Sequence, residues 1–252
     1  MPAVTKLIVT TDAAANARAD LAAAMRIAAL WGINEGVNNH FTMRVPGTDD
    51  RFLMNPGDIH WSEVRASDVL TVDQNGQVVE GSGQPVGTAP KIHIPMHQRH
   101  PRGGCVFHTH MPWASALCSI QQGRLEMCHQ NALRFYQDVA YDDDFNGLAM
   151  ESDEGGRMAA ACGNKSILFL ANHGVVSVAE TIEQTLDNLY YLDRACQIQV
   201  LAMSTGRPLL IPSETMCRKT KAEFNQVMRS GSVRHFSAMK RILDSNEPEY
   251  RT

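Results

Sequence analysis

At 252 residues the chain is long enough to bury a full hydrophobic core, as one large domain or two small ones. Hydrophobic residues at 44% and charged residues at 20% exclude a disordered chain, and a formal charge of -4 without long blocks gives no electrostatic reason for nucleic acid or a membrane surface as partner. No apolar run reaches the length of a helical membrane span, and six cysteines without a C-x-x-C pair or a leading signal peptide fit a reduced, cytoplasmic setting. Cys105, Cys162 and Cys196 lie among apolar or small residues and are expected as buried thiols.

In chain order, residues 1–10 read as a loose lead-in, and Thr11-Asp12 as the cap of a helix from Ala13 to Trp31 that Gly32 ends. Val37 to Val45 and Arg51 to Met54 read as a hairpin around Pro46-Gly47, followed by a connection with a short helical piece over 59–67. Two short strands, Val69 to Val72 and Gln77 to Glu80, flank an Asn75-Gly76 turn. Gly81-Ser82-Gly83 is too short for a phosphate-binding loop and reads as a flexible turn.

Lys91 to Arg99 reads as a helix carrying His93 and His97 four residues apart, and residues 104–110 as a strand that Pro112 converts into a helix reaching Cys118. Over 121–150 the periodic signals are few, and Asp142-Asp143-Asp144 reads as a solvated turn. A helix over 151–162, a strand over 166–170, a short extension at Val176-Ser177 and a long helix from Ala179 to Ser204 follow. The tail, 213–252, is expected to hold two helices, 213–229 and 233–243. Early hairpins combined with interleaved helices favour one α/β domain over the whole chain, with a mixed or antiparallel sheet, over a doubly wound fold.

The chemistry concentrates in Cys105-Val106-Phe107-His108-Thr109-His110. On a strand, alternate residues share a face, so His108 and His110 lie about 6 to 7 Å apart at Cα and can share one metal ion. Two ligands hold a transition metal poorly. The best third is His173, which follows an apolar run and precedes Gly174, a residue that lets the backbone turn closely. Cys128-His129 is not expected to act as a nucleophile pair, since sequence neighbours do not normally face each other on a helix or strand.

Taken in order, Asn39-His40-Phe41-Thr42-Met43-Arg44, Phe52-Leu53-Met54-Asn55-Pro56-Gly57, Ile92-His93-Ile94, Arg99-His100-Pro101, His108-Thr109-His110, Asn172-His173-Gly174 and Ala195-Cys196-Gln197-Ile198-Gln199 resemble the class II aldolase/adducin family, closest to its adducin-like bacterial branch. The resemblance covers roughly residues 15–250. It implies a three-layer α/β/α domain with a mostly antiparallel central sheet, a cytoplasmic homotetramer, and a metal held by His108, His110 and His173.

The departures bear on function. Sugar-phosphate aldolases of the family carry a serine-serine-glutamate run before the helix histidine, where this chain has Gly87-Thr88-Ala89, and a small polar residue where it has His40. The catalytic carboxylate and part of the phosphate seat are therefore missing, unless Glu80 or Glu63 substitutes.

The expected function is that of a metal-dependent lyase, performing aldol cleavage or decarboxylation of a small unphosphorylated hydroxy or oxo acid through a metal-stabilised enediolate. One divalent ion per subunit is expected, zinc foremost, with manganese, iron or cobalt as alternatives. Proton transfer falls to His93, His40 or Tyr250, the last from a second subunit, with His97 a further candidate. Asn39 and Arg44 are candidates for orienting a carboxylate. A histidine-held iron oxygenase and a non-enzymatic module like the adducin head are the alternatives.

Overall fold

The computed structural model describes residues 3–148 and 154–252. Helix α1 (Ala3–Trp31) is followed by β1 (His40–Arg44), β2 (Arg51–Met54), a 3-10 turn at Ala66–Asp68, β3 (Leu70–Asp73) and β4 (Val78–Glu80). Then come α2 (Ala89–Arg99), β5 (Cys105–Thr109), α3 (Pro112–Cys118), α4 (Gln130–Leu133), β6 (Val139–Asp142) and α5 (Glu154–Cys162). The chain closes with β7 (Ile167–Leu170), β8 (Val175–Ala179), α6 (Ile182–Met203), α7 (Glu214–Asn246) and a 3-10 turn at Pro248–Arg251.

The eight strands form one sheet in the order β4-β3-β2-β1-β5-β8-β7-β6, antiparallel throughout except for the β6–β7 pair. This is the expected three-layer α/β/α architecture. On one face, Phe41, Phe107, Ile167, Phe169 and Val175 pack against α1, α3 and α6 in the largest apolar cluster. Phe41 of β1 stacks on Phe107 of β5 with ring centroids 3.8 Å apart, a contact of about 0.5–1.5 kcal/mol beyond the area it buries. The other face meets α2 and α5 through Val106, Leu168, Val176, Ile92 and Met158. Gly155 lets α5 close on α2, because a Cβ there would stand 2.0 Å from the Lys91 carbonyl oxygen.

Because strands alternate faces, pairing His40 with His108 turns both imidazoles toward α2, together with Thr42. Four residues of helix rise about 6 Å and two of strand about 6.6 Å. His93 and His97 on α2 therefore keep step with His40 and Thr42 beneath them, and the stretch 89–99 turns its histidines onto the sheet.

Several expectations need correction. Helix α1 starts at Ala3, so Thr11-Asp12 lies within it and not at its start. No glycine or proline interrupts 3–31, and a threonine or aspartate inside a helix costs only a few tenths of a kcal/mol, roughly 0.7 at most. The tail forms one helix of 33 residues, not two. Gly231, where the break was placed, costs about 1 kcal/mol, too little to interrupt a helix packed along α6. The weakly patterned 121–150 region contains an edge strand, β6, whose last residue Asp142 is buried and receives Arg157, leaving Asp143 and Asp144 as the solvated pair. The first three residues of the expected 151–162 helix lie outside the described residues. The cysteines expected to be buried are buried, and all six are free thiols.

Candidate metal centre

Three imidazoles converge at the end of β5 and the β7–β8 turn. The coordinating atoms of His108, His110 and His173 lie within 4.8 Å of one another, and their rings stand 4.7 to 4.8 Å apart at the centroids. The turn that delivers His173 is tight. Asn172 sits at a positive φ of 54°, its N–H donates to the Cys118 carbonyl at 2.9 Å, and Leu170 N–H donates to the Gly174 carbonyl at 2.9 Å. Any Cβ on Gly174 would meet the Thr109 carbonyl oxygen at 2.5 Å and the His110 ring at 2.9 Å. Only glycine lets the turn approach β5 closely enough for His173 to join the pair.

The hydrogen bonds define which nitrogens are available. His108 Nδ1 donates to the Val175 carbonyl at 3.0 Å, and His110 Nδ1 donates to the Glu35 carboxylate in a short contact. In the neutral form that ligates a metal, each ring therefore carries its lone pair on Nε2, and the two Nε2 atoms face each other at 3.0 Å. Two opposed lone pairs repel. A cation relieves that repulsion, and metal–nitrogen bonds of about 2.0–2.1 Å place two ligands about 3.0–3.4 Å apart, so the donor set fits a divalent ion. Burial, then the neighbouring imidazoles, holds His108 well below the ordinary histidine range, and burial followed by His110 lowers His173 to about 4. Neutral imidazole is the form that ligates.

The centre opens into a cavity of about 530 Å³ whose lining includes Glu35, His40, Thr88, Lys91, Phe145 and Leu148 besides the three histidines. His40 borders it, with its ring 4.9 Å from that of His108. His93 is fully buried behind His40, and His97 lies further back, stacked on Phe52 at 4.8 Å. Burial, then coulombic pressure from neighbouring histidines, holds both His40 and His93 well below the usual range, and burial lowers His97 to about 3.

Three expected residues are not brought to the centre. Tyr250 is fully buried in the C-terminal 3-10 turn and its hydroxyl donates to Asp244 at 2.8 Å, so it does not line this cavity. Arg44 lies at the far end of β1, donating to the Asp49 carbonyl at 2.9 Å and the His97 carbonyl at 2.5 Å. Asn39 is buried beneath the site, where its Oδ1 takes the His110 N–H at 3.5 Å.

Ala89 packs into an apolar cluster with Phe52, Met54, Val72 and Ile94, leaving Gly87 and Thr88 as the cavity wall. Glu80 is bound by Arg18 at 2.6 Å and Glu63 is exposed on a turn, so neither replaces a carboxylate at that wall. The Gly81–Gly83 turn lies outside the cavity lining, and Cys128 and His129 line a separate cavity with Leu210 and Phe224. Glu35 was not among the residues the sequence pointed to. Its signal was a lone carboxylate between two turn glycines, Gly32 and Gly36, both at positive φ, and nothing in its spacing connects it to a histidine 75 residues away.

The family model described as Class II Aldolase and Adducin N-terminal domain matches residues 19–200, and the chain belongs to that family. Within it, the chain is similar to an aldolase II superfamily protein from Pseudomonas syringae, at 30% identity, 95% coverage of this chain, 96% of that chain and a TM-score of 0.86. It is also similar to an L-fuculose 1-phosphate aldolase from Glaciozyma antarctica, at 27% identity, 95% and 93% coverage and a TM-score of 0.82. Human beta-adducin is 33% identical over 247 residues, which cover 90% of this chain and 33% of that protein. The family thus spans named aldolases and adducins, and the histidine cluster is of the kind that forms a metal-binding active site in class II aldolases.

Proposed function

We propose that the chain is a divalent-metal-dependent lyase of the adducin-like branch, cleaving a carbon–carbon bond beside a carbonyl in a small unphosphorylated hydroxy or oxo acid, by aldol cleavage or decarboxylation. The observation that carries this reading is the pair of Nε2 atoms of His108 and His110 facing each other at 3.0 Å, with His173 completing the cluster. A divalent ion held there, zinc foremost, supplies Lewis acidity toward a substrate carbonyl.

The protein's own residues do the rest. Glu35 holds the His110 ring by its Nδ1–H, fixing the face it presents. His40 has its Nδ1 committed to His93 at 2.8 Å, so Nε2 is the nitrogen left for the cavity, where it takes a proton from a substrate hydroxyl or returns one to carbon. Phe145 and Leu148, both exposed, add apolar surface to the cavity lining.

Among the described lining residues, Lys91 is the one cation and Thr88 the one hydroxyl, a complement suited to a single carboxylate more than to a phosphate dianion. The absence of a carboxylate at Ala89 removes the group that sugar-phosphate aldolases use, and His40 takes over its proton-handling task. A homotetramer in the cytoplasm completes the reading.

The test is a screen of hydroxy and oxo acids and of sugar phosphates such as fuculose phosphate, on the metal-loaded protein, with aldehyde and carbon dioxide release both followed. Turnover of an unphosphorylated acid with release of either product is expected. Efficient cleavage of fuculose phosphate would contradict the substrate assignment. Oxygen consumption with an iron-loaded protein would favour an oxygenase instead.

A further inference from the structure

Behind the cavity runs a chain of hydrogen bonds whose direction can be worked out from one end. His97 Nδ1 lies 2.7 Å from the Gly103 carbonyl oxygen, which can only accept, so Nδ1 carries the proton. Neutral His97 then has a bare lone pair on Nε2, and Thr42 Oγ1 stands 2.8 Å from it. The hydroxyl must donate there. The alternative acceptor, the Val106 carbonyl, lies further away at 3.1 Å, and choosing it would leave two lone pairs opposed at 2.8 Å.

With its single proton spent, Thr42 Oγ1 can only accept from His93 Nδ1 at 2.7 Å. His93 Nε2 is therefore bare and receives Nδ1–H of His40 at 2.8 Å. The direction propagates through four side chains, all of them buried, and with the rings neutral no other orientation satisfies all the contacts that link them.

We propose that Thr42 and His97 are positioning residues: anchored on the Gly103 carbonyl, they set the tautomer of His93 and through it that of His40, so that His40 presents an unprotonated Nε2 to the cavity. The inference rests on the functional reading above only for its catalytic consequence, since the hydrogen-bond chain exists whatever the reaction. Its value to a lyase is definite. A histidine ring free to exchange tautomers offers the cavity a donor part of the time, whereas this one offers an acceptor. Thr42 suits the task because a hydroxyl accepts and donates at one atom, which lets it pass direction from one ring to the next.

The experiment is a long-range nitrogen–proton correlation spectrum of the zinc-loaded protein carrying nitrogen-15 histidine, with His40→Gln and His93→Gln used to assign signals. Expected in the unmodified protein is the Nδ1-protonated form for His97, His93 and His40. In Thr42→Val, which keeps the volume but removes the hydroxyl, His93 and His40 should lose that single form and show Nε2 protonation, with zinc content unchanged. Thr42→Ser should restore the original pattern.

An Nε2-protonated His40 in the unmodified protein would overturn the proposal, as would a Thr42→Val spectrum identical to it at both rings. Should Thr42→Val fail to fold, the spectrum of the unmodified protein decides alone. The expected tautomers together with no lyase turnover would support the chain and count against the functional reading, so the two fail separately.

Discussion

Glu35 ties the residue-level chemistry to the backbone around it. A histidine ligand binds through one nitrogen, and what its other nitrogen does sets ring orientation and basicity. His108 spends Nδ1 on a backbone carbonyl, His110 on a carboxylate. Removing an outer partner of this kind typically weakens metal binding 10 to 100-fold. Glu35→Ala should therefore raise the metal dissociation constant by about that factor, with Glu35→Gln in between because its amide oxygen still accepts. Competition against a chromophoric chelator measures this; an unchanged constant in Glu35→Ala would mean the contact does nothing for the metal.

The histidine cluster itself was legible in sequence, because a two-residue spacing on a strand puts His108 and His110 on one face and a glycine marks the turn at His173. Glu35 and Thr42 were not. Their partners lie 75 and 55 residues away, and contacts at that separation follow from loop closure and sheet register, which leave no periodic trace.

At the scale of elements, the β7–β8 turn decides whether the third histidine arrives. A methyl group at position 174 collides with the Thr109 carbonyl oxygen at 2.5 Å, a backbone atom of the neighbouring strand that cannot easily give way. Gly174→Ala should lower stability by about 1–3 kcal/mol and weaken metal binding together, seen as a reduced urea midpoint and a reduced chelator-competition affinity in the same preparation. A variant with both properties intact would show that the turn has slack.

Helices and hairpins with strong local patterns were readable, down to the α3 start at Pro112 and its end at Cys118. The elements that escaped have physical reasons. Strand β6 is a four-residue edge strand held by parallel pairing to β7, so its alternation is too short to stand out. Helix α7 continues past Gly231 because packing along α6 outweighs one poor helix former.

At the scale of the whole molecule, the sheet order brings together residues that chain order keeps apart. β5 pairs with β1 on one side and β8 on the other, so His108 is flanked by His40 across one ladder and by the strand that follows His173 across the other. An α/β class with mixed strands was inferable from the hairpins. The insertion of β5 between β1 and β8 was not, since many strand orders satisfy the same hydrophobic pattern. No described helix is long and apolar enough to cross a membrane.

The claim on which the account stands is that His108, His110 and His173 jointly hold one divalent ion, and metal analysis of the purified protein after zinc loading and exhaustive dialysis tests it most directly. The unmodified chain should retain about one equivalent per subunit, the stoichiometry of a single closed or open zinc site, and His108→Ala or His173→Ala should each retain next to none while keeping the fold. An unmodified protein that retains no metal, or either variant retaining a full equivalent, would contradict it.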